Sequence, residues 1–77
     1  MSKEQLELIA GARIEPPECY DEVVAAMETV FSNQPEMEDW DIVRLASDIW
    51  QFAMFDVQPE PEDVEKSVRI YRERRNA

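Results

Sequence analysis

Hydrophobic side chains recur at helical spacing in four stretches of this chain. The clearest runs over about residues 17–32, where the apolar positions follow at intervals that return to one side of a helix: Tyr20, Val23, Val24, Met27, Val30 and Phe31. This spacing predicts an amphipathic helix that packs through a single face. Prolines stand near the start of this stretch and of the two that follow it, where proline suits a first helical turn.

The first stretch, about residues 3–12, begins with a capping signal. Ser2 is followed three residues later by Gln5, the pattern in which the two side chains cap the first turn reciprocally. The third stretch, about residues 37–55, is apolar over more than half of its circumference. Such a helix is usually packed by neighbours on two sides, so we expect it to be central in the fold.

The fourth stretch, about residues 61–74, carries a narrow apolar stripe made of Val64, Val68 and Tyr71. We expect this helix to dock loosely at one edge. Ion pairs one helical turn apart should support it: Glu62 with Lys66, and Glu65 with Arg69.

Together these stretches predict a single domain, residues 1–77, with an all-α fold: a compact three- or four-helix bundle with short connections. One glycine in the chain argues against a β-rich fold, because tight turns between strands need several residues at positive φ. The longest uninterrupted apolar runs, such as residues 23–27 and 52–55, are far shorter than the ~20 residues that cross a bilayer. Since the first residues also lack the apolar core of a signal peptide, we expect a cytoplasmic protein with no membrane partner.

The composition argues against most catalytic and metal chemistry. The chain has no histidine and one cysteine, which excludes an intramolecular disulfide, a Cys/His zinc site and a nucleophile paired with histidine. Two acidic runs, residues 39–41 and 60–63, lack the glycine and the ligand order of a calcium loop. We therefore expect no metal, no cofactor and no enzymatic activity.

Charge is the most unusual property of the sequence. Eighteen acidic and eight basic residues give a net charge of −10, and residues 15–65 hold fifteen of the acids with one base, Arg44. Nucleic-acid affinity rests largely on Lys and Arg, so we expect no direct binding of DNA or RNA. The arginines of residues 69–75 should instead neutralise neighbouring carboxylates. Such an acidic segment favours a basic protein partner, with simple solubility as the other interpretation.

The predicted partner-binding surface joins the outer side of the second helix with the approach to the third, through the acidic residues Glu18, Asp21, Glu22, Glu28, Glu36, Glu38, Asp39 and Asp41. Carboxylates one helical turn apart lie about 6 Å from each other, comparable with the spacing of successive phosphates. Trp40 joins this surface as an interface anchor, because exposed tryptophan among charges is common at binding hot spots. The alternative for Trp40 is a local cation–π contact with Arg44.

A short, cysteine-poor, strongly acidic and helical chain resembles the small phage-encoded anti-defence inhibitors, among them the anti-CRISPR proteins that mimic DNA. The resemblance covers the whole chain through its size and composition, without a shared motif. It implies an inhibitor that acts in the host cytoplasm without catalysis. Its target would be a Cas-type complex or a nuclease, blocked at a basic nucleic-acid-binding surface.

Two other functions fit the same residues. An immunity protein or antitoxin that caps a basic nuclease would use similar electrostatics with a dedicated partner. A helical adaptor or assembly module would use the broad apolar face of the third helix, either to form a homodimer or to dock on a larger assembly.

Overall fold

The computed structural model describes residues 2–11, 13–17, 19–34, 41–54 and 58–76. They form four α-helices in chain order: α1 (Lys3–Ala10), α2 (Tyr20–Asn33), α3 (Ile42–Ala53) and α4 (Pro61–Arg75). No described residue lies in a β-strand, and the predicted all-α bundle is confirmed with four helices. Within the described ranges, none of these helices is long and apolar enough to cross a membrane.

The predicted capping box at the start of α1 is confirmed. The Ser2 hydroxyl accepts the Gln5 backbone N–H at 3.2 Å, and the Gln5 side-chain oxygen accepts the Ser2 backbone N–H at 3.1 Å. The helix ends at Ala10, two residues earlier than predicted, because Gly11 turns into the left-handed region at a φ of 72°. There the Gly11 N–H donates to the Glu7 carbonyl at 2.9 Å, which closes the last turn.

The described residues 13–17 between α1 and α2 lie in no helix or strand, and they are anchored in the core. Ile14 is buried, and its backbone N–H donates to the Glu7 carboxylate at 3.1 Å. The prediction placed the start of α2 at residue 17, whereas the helix begins at Tyr20 with Cys19 as its N-cap. A residue before proline disfavours the helical region, so the pair of adjacent prolines lengthens the connection instead of opening the helix.

The central helix of the bundle is α2, which packs against each of the other three helices. The prediction gave this place to α3. A broad apolar face does bring α3 two neighbours, α2 and α4, but α2 has three. The apolar face of α3 is therefore used inside the chain, where it buries Leu45, Ala46, Ile49, Trp50 and Ala53.

The expectation that α4 docks loosely at an edge is wrong. This helix begins with Pro61 in its first turn, packs against both α2 and α3, and buries Val64, Ser67, Val68 and Tyr71. The Tyr71 ring stacks on Phe31 of α2 with 5.4 Å between ring centroids.

The ion pairs predicted along α4 are not formed among the described residues. The Lys66 ammonium lies 4.4 Å from the centroid of the Tyr20 ring, which is a cation–π contact with α2 rather than a pair with Glu62. Lys66 therefore joins α4 to the first turn of α2.

One hydrophobic core holds the four helices together. Each large side chain that becomes fully buried contributes about 1.5–3 kcal/mol to folding. Every helix and the first connection supply buried apolar members: Leu6, Ala10, Ile14, Val23, Val24, Met27, Val30, Leu45, Ala46, Ile49, Trp50, Ala53, Val64, Val68 and Tyr71. Most of the described acidic side chains are left at the surface, together with three large apolar ones, Leu8, Val43 and Met54.

Candidate partner-binding surface

Most of the described acidic side chains of residues 15–65 lie on the outside of the bundle. Among the described residues of this segment, eight acidic side chains are exposed: Glu15, Asp21, Glu22, Glu28, Asp41, Glu60, Glu62 and Glu65. They stand on α2, on the connections and on the first turns of α4. The charge that the sequence concentrates in this segment therefore faces solvent on several elements.

Two carboxylates of the predicted surface are bound by an arginine of the same chain. The Arg74 guanidinium contacts the Asp21 carboxylate through Nη2, and its Nη1 lies 3.7 Å from Oε1 of Glu28. These two acids stand two turns apart on α2, and all three side chains remain partly open to solvent. The expectation that an arginine near the end of the chain neutralises neighbouring carboxylates is confirmed for Arg74.

Asp41 is exposed, and it also caps the first turn of α3. It is the N-cap of α3, and its side chain accepts the Val43 backbone N–H at 3.0 Å. The prediction began this helix at about residue 37, but the cap places its first residue at Ile42. An aspartate N-cap satisfies a backbone donor that the helix leaves unpaired, so a substitution at Asp41 would alter folding as well as surface charge.

Five members of the predicted surface lie outside the described residues: Glu18, Glu36, Glu38, Asp39 and Trp40. Their part in binding stays a prediction from the sequence. The structure brings Asp21 and Glu28 together through Arg74, and it places Glu22 on the same helix at the edge of a cleft.

That cleft has a volume of about 230 Å³ and opens between the first connection, α2 and α3. Two exposed carboxylates, Glu15 and Glu22, border it together with Arg13, and the other lining residues are apolar: Ile14, Pro17, Val23, Ala26, Ile49 and Ala53. Lysine and arginine bury their aliphatic stems along apolar surface while the charged end stays solvated. The rim of the cleft carries two carboxylates and the Arg13 guanidinium, so its charge stays negative beside apolar walls. This combination suits a basic side chain, with its stem against the walls and its cation at the acidic rim.

Glu15 was missing from the surface predicted from the sequence. It follows the first helix and precedes two prolines, so no helical face included it. Glu15 lies next to the buried Ile14, and it borders the same cleft as Glu22.

Tyr20, at the start of α2, joins three elements of the fold. Its hydroxyl donates to Oδ1 of Asp63 at 2.6 Å, and its ring meets Trp50 edge-on with 5.8 Å between centroids. The hydrogen bond to the Asp63 carboxylate, with burial and nearby negative charge, raises the pKa of Tyr20 above its usual value of 10.0. Through these contacts Tyr20 connects α2 with α3 and α4, so its role is structural.

Asp48 is an acidic residue of α3 that points partly into the bundle. Burial raises the pKa of its carboxyl group, and the charge of Arg44 acts in the opposite direction. Among the described residues, its buried Oδ2 has no hydrogen-bond partner. The carboxylate therefore opposes folding at neutral pH instead of serving the surface.

Within the described ranges, no three His, Cys, Asp or Glu side chains cluster closely enough to hold a metal ion. No protein-family model, curated protein or solved structure matches the chain. The function is therefore inferred from the chain's own charge and from the cleft beside Glu15 and Glu22.

Proposed function

We propose that this protein is an acidic, non-catalytic inhibitor that binds the basic nucleic-acid-binding surface of a target protein and acts as a mimic of DNA or RNA. The segregation of charge carries the proposal: fifteen acids and one base between residues 15 and 65. Charge of one sign over this much surface speeds association with a surface of opposite sign. It also destabilises a small bundle by self-repulsion, which favours a use for it beyond solubility.

The cleft beside Glu15 and Glu22 supports the same proposal. Surfaces that bind nucleic acid carry lysine and arginine side chains that neutralise phosphates. One such side chain from the target, inserted between the two glutamates, would be held in a fixed position. The other exposed carboxylates on α2 would then meet the surrounding basic groups, so the cleft provides register and the wider surface provides attraction.

The resemblance to small phage anti-defence inhibitors gives the proposal its target class. A Cas-type complex or a defence nuclease carries a basic groove that must stay open to DNA or RNA. An acidic protein seated in that groove would block it without chemistry.

A competition experiment tests the proposal. Labelled DNA is bound to each member of a panel of Cas complexes and defence nucleases, and this protein is then added at constant ionic strength. We expect the wild type to displace DNA from at least one panel member. The double variant Glu15→Lys/Glu22→Lys should bind that target at least about tenfold more weakly, a change of about 1.4 kcal/mol.

The matched control is Glu4→Lys/Glu73→Lys, which changes the net charge equally at two exposed positions outside residues 15–65. It should retain most of the displacement. Equal losses in both variants would reduce the effect to net charge and contradict a role for the cleft. If the wild type displaces DNA from no member of the panel, the proposal itself is contradicted. The panel also includes toxin nucleases, and displacement from a toxin nuclease alone would identify the immunity-protein form of the same binding.

A further inference from the structure

The face of α4 that points away from the core carries an ordered row of charges. Its residues recur at alternating intervals of three and four: Glu62, Glu65, Arg69, Arg72 and the C-cap residue Asn76. We call this row the α4 seam. Its spacing is that of the contact positions of a coiled coil, and all five side chains are exposed. The acids occupy the first half of the seam and the bases the second half.

The other cations of α4 that contact described residues are already engaged within the chain. Lys66 lies over the Tyr20 ring, and Arg74 binds the two carboxylates of α2. The four charged side chains of the α4 seam differ from these, because none forms an ion pair with a described residue. The seam therefore presents a row of charges that no described residue pairs, and the sign of these charges changes halfway along.

The geometry points to a second copy of this chain, docked antiparallel along the α4 seam, as the partner of this face. Glu62 and Arg72 lie symmetrically about residue 67, and so do Glu65 and Arg69. A two-fold axis at that point would set each acid against a base of the other copy, as contact positions meet in an antiparallel coiled coil. A parallel arrangement would set like charges against each other, so the pattern selects the antiparallel one.

A groove beside the seam leaves room for such a helix. It has a volume of about 930 Å³ and is lined by the seam together with Val43, Tyr20, Val68, Lys66 and Glu73. Val43 is 46% exposed, although it belongs to the otherwise buried apolar side of α3, and a second copy would cover it. A contact restricted to one helix of about 22 Å falls in the small class of interfaces, so we expect a weak dimer whose ion pairs set orientation more than affinity.

Charge-swapped variants test this dimer. Glu62→Arg/Glu65→Arg makes the seam entirely basic, and Arg69→Glu/Arg72→Glu makes it entirely acidic. Each variant alone should dimerise at least about tenfold more weakly than the wild type in sedimentation velocity, because every seam contact becomes a repulsion. An equimolar mixture of the two should recover dimers, since every acid again faces a base. Recovery also shows that both variants are folded.

Two controls keep the test decisive. The variant Glu4→Arg/Glu15→Arg raises the net charge from −10 to −6, as the basic-seam variant does, and it should dimerise like the wild type. If a double variant fails to give a helical circular dichroism spectrum, the single reversals Glu65→Arg and Arg69→Glu repeat the test at the pair closest to the axis.

A wild type that stays monomeric over the whole dilution series would overturn the inference, as would a mixture of the swapped variants that stays monomeric. Dimers that persist in both variants alone would place the interface elsewhere and overturn it too. The test reads only self-association, so its outcome is independent of the proposed inhibition of a basic target.

Discussion

The indole Nε1 of Trp50 donates a hydrogen bond to the Ser67 hydroxyl at 2.8 Å, and that hydroxyl donates in turn to the Asp63 carbonyl at 2.8 Å. Trp50 and Ser67 are both buried where α3 meets α4. An indole N–H can only donate, so its burial requires an acceptor, and Ser67 is the buried polar residue that provides it. These two hydrogen bonds hold the buried side of α3 against the buried side of α4.

Replacing Ser67 with alanine should destabilise the bundle by about 1–3 kcal/mol, because the buried indole N–H loses its acceptor. The free energy of unfolding in urea measures this. In a Trp50→Phe background the same substitution should cost much less, since phenylalanine has no donor to leave unpaired. Ser32→Ala, at an exposed position of α2, serves as the control. Equal costs for Ser67→Ala in both backgrounds would contradict the coupling.

Asp48→Asn should raise the melting temperature at neutral pH. Burial raises the pKa of Asp48 in the folded state, so folded molecules hold its proton to higher pH than unfolded ones. Stability from this group is thus fully present below the unfolded pKa of about 3.9 and is lost as the pH rises through the folded pKa. The gain from Asp48→Asn should therefore be largest near pH 7 and vanish near pH 3.

Thermal unfolding over this pH range is the measurement for Asp48. Glu4→Gln removes an equal charge from an exposed position outside both proposed surfaces and controls for general self-repulsion. A gain no larger than that of Glu4→Gln at pH 7 would show that burial of Asp48 does not oppose folding.

Arg74→Gln should cost little stability, although the arginine contacts two carboxylates. The Arg74 side chain is 42% exposed and that of Asp21 is 70% exposed, and exposed ion pairs contribute about 0–1 kcal/mol. Arg75→Gln changes the net charge equally from a neighbouring exposed position, so the difference between the two variants isolates the contacts of Arg74. That difference should disappear in 1 M salt, where the Debye length is about 3 Å. A difference that persists in high salt would mean that the contact is not electrostatic.

Asp63→Asn should lower the pKa of Tyr20. The Tyr20 hydroxyl donates to a charged carboxylate, and this bond is the main reason that its pKa lies above 10.0. An amide accepts a hydrogen bond but carries no charge, so the neutral tyrosine loses most of its advantage. Tyrosinate absorbance during alkaline titration of a Tyr71→Phe background gives the value. Glu62→Gln, which removes a lesser contributor, should shift it less, and an effect as large as that of Asp63→Asn would argue against the hydrogen bond as the main cause.

Local signals in the sequence predict where the helices lie, and long-range contacts decide the rest. The Ser2 capping box and the apolar periodicity mark the helices because both act within a few residues. The same periodicity says which side of a helix is buried but not how many neighbours cover it, so the prediction made α3 the central helix in place of α2. Ile14 was missed because a single apolar residue in an irregular connection has no period.

The candidate surface, like the fold, could be predicted from local signals only in part. Its charge could be predicted, because acidic side chains are rarely buried. The arrangement of that charge could not, since Arg74 meets Asp21 across 53 positions and Tyr20 meets Asp63 across 43. The cleft beside Glu15 depends on the burial of Ile14, which again has no local signal.

Gly11 ends α1 in a left-handed conformation, and it is the only glycine in a chain that has five prolines. Glycine loses more backbone freedom on folding than any other residue, and proline has little to lose. The denatured ensemble of this chain is therefore narrow for its length, and ordering the backbone costs less entropy than usual. A bundle of 77 residues with a charge of −10 gains from this. Repulsion raises the free energy of its native state, and the restricted denatured ensemble offsets part of that rise.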